Sequence, residues 1–366
     1  MGAQAQLGVG THQHTQVTRT LSVPDLSLQR AHAQSGRIDS MILVIGGAGY
    51  IGSHMVKYLL RKGESVVVFD NFSTGHRGAL TGGVLEEGDL RDGETLLRVF
   101  RKYSIECVMH FAAYIFAGES MRNPAKYYDN NVLGCLRLME AMRIVGVSQI
   151  IFSSTAAVYG EPVEVPIPET HPLAPTNTYG ETKRVMEGML HWYGQAYGIR
   201  SVALRYFNAA GADPDGELGE DHRPEEHLIP LTLFAALGRR ESISVFGTDY
   251  DTPDGSCIRD YVHVWDLCEA HYLALQRLRA GAPSDVYNLG NSQGYSVREV
   301  IRAAEQVVGR PIPTVYAPRR AGDPARLVAS SEKAKRELGW QPRYPALETM
   351  IEHAYRWFVT HPQGYE

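Results

Sequence analysis

The chain has 366 residues, of which 44% are hydrophobic and 21% charged, and it carries a formal net charge of -5. That length suits one large domain or two modest ones, with the composition of an ordinary globular protein. The charges are interspersed without a basic concentration and no apolar stretch is long enough to span a bilayer, which argues against nucleic acid or a membrane as partner.

Residues 1–40 are rich in Gln, Ala, Ser, Thr and His and show neither helical nor strand periodicity. They are expected to be a disordered extension, or to precede a start at Met41. Arg19, Arg30 and Arg37 raise the alternative of a transit peptide, but they form no amphipathic arginine face.

From Met41 onward, short apolar runs alternate with segments of helical period. Runs at 42–45, 65–69, 107–111, 150–152 and 201–204 suit strands buried on both faces, and helices are predicted over 51–61, 94–103, 131–145 and 179–197. The alternation predicts an α/β fold, a Rossmann-type doubly wound parallel sheet over residues 41–210. Further on, 211–223 and 249–255 read as loops, and helices are predicted at 228–237, 264–278 and 297–308. Residues 211–366 are expected mainly to form a smaller C-terminal substrate-binding lobe, with segments such as 286–289 returning to the main sheet. Cys107, Cys135, Cys257 and Cys268 form no C-x-x-C pair and read as buried thiols in a reducing, cytoplasmic compartment.

Two motifs carry chemistry. Gly46-Gly47-Ala48-Gly49-Tyr50-Ile51-Gly52 follows the first strand and opens the first helix, where glycines let a pyrophosphate approach free backbone N–H groups. The second strand ends at Asp70, whose carboxylate suits a ribose diol and repels a 2′-phosphate, favouring NAD over NADP. Asp89 follows a third apolar stretch and suits either the adenine amino group or a turn. The second motif is Tyr179-Gly180-Glu181-Thr182-Lys183. Its ends share a helix face, and Thr178 with Glu181 fits a capping box. An ammonium near the phenol stabilises the phenolate, which turns a side chain of ordinary pKa about 10 into a general base. Ser153-Ser154-Thr155 ends the preceding strand and faces the ligand crevice, with Ser153 and Ser154 open to a purely local role.

A ligand-rich stretch, Glu220, Asp221, His222, Glu225, Glu226 and His227, lacks H-E-x-x-H spacing, and Pro224 breaks any helix through it. It is expected to be a solvated loop, and no metal is expected.

Taken together, GGAGYIGS (46–53), DNFSTG (70–75), YYDNNVLG (127–134), SSTAAVYG (153–160), YGETK (179–183), LRYFNAAGADP (204–214), HLIPL (227–231), CIRDYVHVWDL (257–267) and RRAGDPARLVASSEKAKRELGW (319–340) resemble the extended short-chain dehydrogenase/reductases and, within them, the UDP-glucose 4-epimerases. The resemblance runs from Met41 to about Trp357. It implies tightly bound NAD, a UDP-hexose substrate, UDP-glucose/UDP-galactose interconversion through a 4-keto intermediate, and a homodimer through helices near 94–103, 131–145 and 181–197. It assigns Tyr179 as base for the sugar 4-OH, Lys183 to the phenol and the nicotinamide ribose, and Thr155 to the sugar O4. For the cofactor it implies Gly46, Gly49, Tyr50, Ile51, Gly52, Asp70, Asn71, Ser73, Thr74, Gly75, Asp89, Leu90, Phe111, Ala112, Ala113, Asn130 and Tyr206. For the substrate it implies Asn208, His227, Leu228, Ser244, Phe246, Arg259, Arg320, Asp323 and Leu327.

Three positions depart from the family pattern. Ile115 replaces a lysine that reaches the cofactor phosphates, His227 replaces an asparagine, and Leu327 holds the place that gates bulk beside the sugar. A related 4,6-dehydratase needs a carboxylic acid just after the active-site threonine, where this chain has Ala156 and Ala157. A 4-epimerase of UDP-GlcNAc or of UDP-xylose and UDP-arabinose is the alternative on the same fold, and a non-catalytic NAD sensor is a more distant one.

Overall fold

The computed structural model describes residues 1–2, 40–320 and 323–365. The expected N-terminal extension falls almost wholly outside them. The described residues from 40 onward pack as one unit. In chain order it comprises β1 (Met41–Ile45), α1 (Tyr50–Arg61), β2 (Ser65–Asp70), β3 (Val84–Glu87), α2 (Gly93–Lys102), β4 (Ile105–His110), α3 (Ala117–Arg122), α4 (Pro124–Tyr127), α5 (Gly134–Val145), β5 (Gln149–Thr155), α6 (Thr178–Tyr197) and β6 (Arg200–Tyr206). There follow β7 (Asn208–Ala210), α7 (Leu228–Ala236), β8 (Ile243–Phe246), β9 (Ile258–Arg259), β10 (Tyr261–His263), α8 (Val264–Arg279), β11 (Asp285–Leu289), β12 (Tyr295–Ser296), α9 (Val297–Val308), β13 (Thr314–Ala317), β14 (Arg326–Leu327), α10 (Glu332–Leu338) and α11 (Leu347–Thr360).

Seven strands form one parallel sheet in the order β11-β6-β5-β4-β1-β2-β3. The order reverses between β1 and β4, and the crevice at the carboxyl ends of strands beside such a switch point is where ligands bind in open α/β sheets. The apolar runs read as continuous because both faces are covered. Ile42, Val44, Val66, Val68, Cys107, Met109 and Ile151 enter one core, shared with Leu267, Leu275 and Leu278 of α8. Their neighbours Leu43, Ile45, Val67, Phe69, Val108, Ile150 and Phe152 enter the other, shared with α2, α5 and α6 through Leu96, Leu138 and Met186. Burying each such side chain contributes about 1.5–3 kcal/mol. A third core, over α7, α9 and α11, includes Leu233, Ile301, Ile351 and Trp357.

β3 is an edge strand with Val84 and Leu85 exposed, so it lacks the apolar run that marked the others. The stretch predicted as helix from 131 begins as a π-helical turn over Tyr128–Leu133 before α5 proper. The capping box expected at Thr178 is not present: Asn177 caps α6, its side chain accepting from Gly180 N, and Thr178 is the first helical residue. Among the described residues no helix is long and apolar enough to cross a membrane.

Candidate active site

The crevice opens where β1 turns into α1. Gly46 makes this turn at φ +77°, and a Cβ there would sit 2.6 Å from Ala112 N. Gly52 packs so closely that a Cβ would overlap the Gly46 carbonyl oxygen. Gly49 caps α1 without a side-chain hydrogen bond, and the first turn carries no acid. The free N–H groups and positive end of α1 therefore meet the crevice, the electrostatic setting for a pyrophosphate. Asp70 closes β2 beside it, its carboxylate accepting from Ala48 N at 2.9 Å and Phe72 N at 2.8 Å. Burial raises the Asp70 pKa above the ordinary value, against the pull of these backbone donors. An uncapped buried helix end with an acid at the next strand end fits a dinucleotide.

Thr155, Tyr179 and Lys183 line the same crevice. Asn177 starts α6 at the position that brings Tyr179 over the end of β5, and Tyr179 N donates to Ser120 Oγ at 3.0 Å. The Tyr179 phenol neighbours Thr155, whose own hydroxyl accepts from Ala157 N at 3.1 Å; burial pushes the phenol's pKa above the ordinary value and the nearby hydroxyl pulls the other way. Lys183 is 2% exposed and donates to Ser153 O at 2.8 Å. Burial lowers its pKa to about 8. Ser153 and Ser154 are engaged locally: Ser153 Oγ accepts from Tyr206, and Ser154 donates to Glu187, which also holds Arg205.

Of the positions expected to hold the cofactor, Gly46, Gly49, Tyr50, Ile51, Gly52, Asp70, Asn71, Ser73, Thr74, Gly75, Leu90, Phe111, Ala112, Ala113, Asn130 and Tyr206 line this one crevice with the three catalytic candidates. Asp89 does not. Its carboxylate binds Arg91 Nη2 at 2.8 Å and Asn71 Nδ2 at 2.9 Å, and those donors hold its pKa far below the ordinary range. Of the substrate candidates, Asn208 and His227 line the crevice. The others gather elsewhere. Arg259 is ion-paired with Asp323 and sits in register with Leu327 between β9 and β14. The Arg320 guanidinium stacks 3.9 Å over Phe246, Ser244 lies one register step into the β8–β13 pair, and Leu228 begins α7. Leu327 packs against Ala156, Val158 and Tyr159, directly after Thr155, which ties the second group to the catalytic end.

The loop expected at 220–227 is present but only partly solvated: Arg223, Pro224 and Glu226 are exposed, and the rest turns inward. Glu220, His222 and His227 line the crevice, and the Glu220 and Glu225 side chains are 5% and 4% exposed. Burial lowers the His227 pKa, but Glu220 and Glu225 outweigh it and hold the imidazole well above its ordinary range. The stretch looked solvated because it is uniformly polar, yet its charges neutralise one another inside the fold, which no periodicity reveals. Asn131 was also missed: its amide grips Tyr114 N, Tyr114 O and Thr182 Oγ1, fixing the loop over the crevice to α6.

The model of the NAD dependent epimerase/dehydratase family matches residues 42–290. A UDP-glucose 4-epimerase of Halalkalibacterium halodurans is 57% identical over 324 residues, 88% of this chain and 97% of that one. A crystal structure of a UDP-glucose 4-epimerase superposes with a TM-score of 0.88 at 57% identity, covering 89% of this chain and all of the other. The UDP-glucose 4-epimerase from Bifidobacterium longum in complex with NAD+ and UDP superposes with a TM-score of 0.85 at 40% identity over 89% of this chain and 100% of that one. The chain therefore belongs to the NAD dependent epimerase/dehydratase family, in its UDP-glucose 4-epimerase branch.

Proposed function

We propose that this protein interconverts UDP-glucose and UDP-galactose by inverting carbon 4 through a 4-keto intermediate. The observation that carries the reading is that the phenol of Tyr179 shares one crevice with Thr155, Lys183 and the N-terminus of α1 beside Asp70. NAD, when bound, supplies the acceptor and donor of the hydride at C4. The α1 N-terminus would hold its pyrophosphate, Asp70 the adenosine ribose, and Lys183 the nicotinamide ribose.

Tyr179 takes the proton of the 4-OH and returns it after the keto sugar has turned its other face. Thr155 orients the sugar oxygen. Lys183 at about 8 remains mainly protonated at neutral pH, so the helix that carries the base also carries a buried cation one turn further on. Arg259, Arg320, Phe246, Ser244, Leu228 and Asp323 are the residues for the UDP moiety, with guanidinium groups suited to a diphosphate. Ala156 and Ala157 offer no proton for dehydration. Residues 41–210 serve the cofactor, and residues 211–366 mainly the substrate.

Leu136 and Ile144 on α5 with Trp192 and Tyr197 on α6 are exposed, Trp192 at 69%, which supports a homodimer through these helices. Four free, buried cysteines support a reducing, cytoplasmic setting. The test is incubation with UDP-galactose, and separately with UDP-GalNAc, without added reductant. UDP-glucose forming from the first supports the reading, and its absence overturns it. Conversion of UDP-GalNAc shows a wider substrate range.

A further inference from the structure

We propose that Glu220, His222, Glu225 and His227 bind a divalent transition metal, zinc above all, in the wall of the crevice. One ligand atom from each of the four lies within 4.8 Å of the others. His227 Nδ1 is 2.8 Å from Glu220 Oε1 and 2.9 Å from Glu225 Oε1, while His222 Nδ1 is 3.1 Å from Glu220 Oε1 and 3.5 Å from Glu225 Oε2. Ligands around a tetrahedral zinc at about 2.0 Å stand about 3.3 Å apart, so these spacings bracket that figure.

A second observation separates an ion site from a network of protonated imidazoles. His222 Nδ1 and Glu225 Oε2 are buried and have no hydrogen-bond partner among the described residues. The Glu225 side chain is 4% exposed, so bulk solvent scarcely reaches it. His227 Nδ1 is hydrogen-bonded to Glu225 Oε1, whereas His222 Nδ1 and Glu225 Oε2 face each other at 3.5 Å without hydrogen-bond geometry, a gap that a central cation would fill. Two imidazoles, neutral once an ion displaces their protons, and two carboxylates balance a divalent charge. Imidazole nitrogens disfavour magnesium and calcium, which take oxygen ligands, and suit zinc and its transition neighbours. Asp221 stays outside the cluster, engaged by Arg223 and Tyr365 N.

The ion pins the segment that leads into α7. His222 stands edge-on to Tyr50 and Phe116, each at 6.2 Å between ring centres, so the pinned segment braces two crevice residues. Its role is structural, and it does not depend on which sugar nucleotide the crevice accepts.

The experiment strips the full chain with a chelator, then titrates zinc by calorimetry and cobalt by visible spectroscopy. One tight equivalent of zinc and the intense absorption of four-coordinate cobalt are expected. Both are lost in Glu225→Gln and in His222→Ala, compared at equal bound NAD as the check of folding. The comparison subtracts zinc taken by His12, His14 and His32 near the N-terminus. If either variant does not fold, the cobalt spectrum of the unaltered chain decides. No tight equivalent, binding unchanged in folded variants, or a six-coordinate cobalt spectrum overturns the proposal and leaves the cluster as a proton-held ion network. Turnover is not read, so the result stands apart from that of the epimerase assay.

Discussion

Lys183 donates to the Ser153 carbonyl oxygen at 2.8 Å, fastening the first turns of α6 to the end of β5 with a buried ammonium. Because burial lowers its pKa from 10.5 to about 8, the unfolded chain binds more protons between those values. Stability then rises with pH across that window, and the penalty for the buried charge is fully present below about 8. In the cofactor-free chain, Lys183→Met should flatten this rise. Melting temperatures taken from pH 7 to about 10.5 check it, and an unchanged slope would remove the buried charge from the account.

Tyr179→Phe removes one oxygen from the base and leaves the packing of the ring. Turnover should fall by roughly 10²–10⁴-fold with NAD still bound. Steady-state rates and cofactor content measured on one preparation check this. A rate equal to that of the unaltered chain would take the phenol out of the chemistry.

Gly52→Ala places a methyl against the Gly46 carbonyl oxygen in the turn that meets the cofactor. The variant should purify with much less NAD and melt at a lower temperature. Ultraviolet spectra of the released nucleotide measure the loss. Full occupancy would show that the turn can shift without affecting the site.

Leu327 packs on the cluster of Ala156, Val158, Tyr159 and Ile167 that follows Thr155, so bulk at this position presses on the segment behind Thr155. Leu327→Tyr should lower any activity on N-acetylated sugars while sparing UDP-galactose. Paired kcat/KM values for the two substrates test it, and equal losses would count against a gate here.

The central sheet was readable because β1, β2, β4, β5 and β6 are covered on both faces and so appear as unbroken apolar runs. β3 showed only a short apolar stretch before Asp89 because an edge strand needs no longer run. The cofactor crevice was readable because a turn, a helix end and a strand end lie close together in sequence. Asp89 matched its motif, but its carboxylate is held by Arg91, a contact that motif position does not encode. The 220–227 cluster was illegible for a related reason. Polar side chains that gather on one another in the interior look like surface until their neighbours in space are known.

The most direct test of the chemistry follows one atom. UDP-glucose carrying deuterium at C4 is converted by the protein as purified, without added cofactor, and the UDP-galactose formed is examined by mass spectrometry. If a resident dinucleotide takes that hydride and gives it back to the opposite face, the product keeps its deuterium at C4. Deuterium lost to solvent during turnover would contradict it.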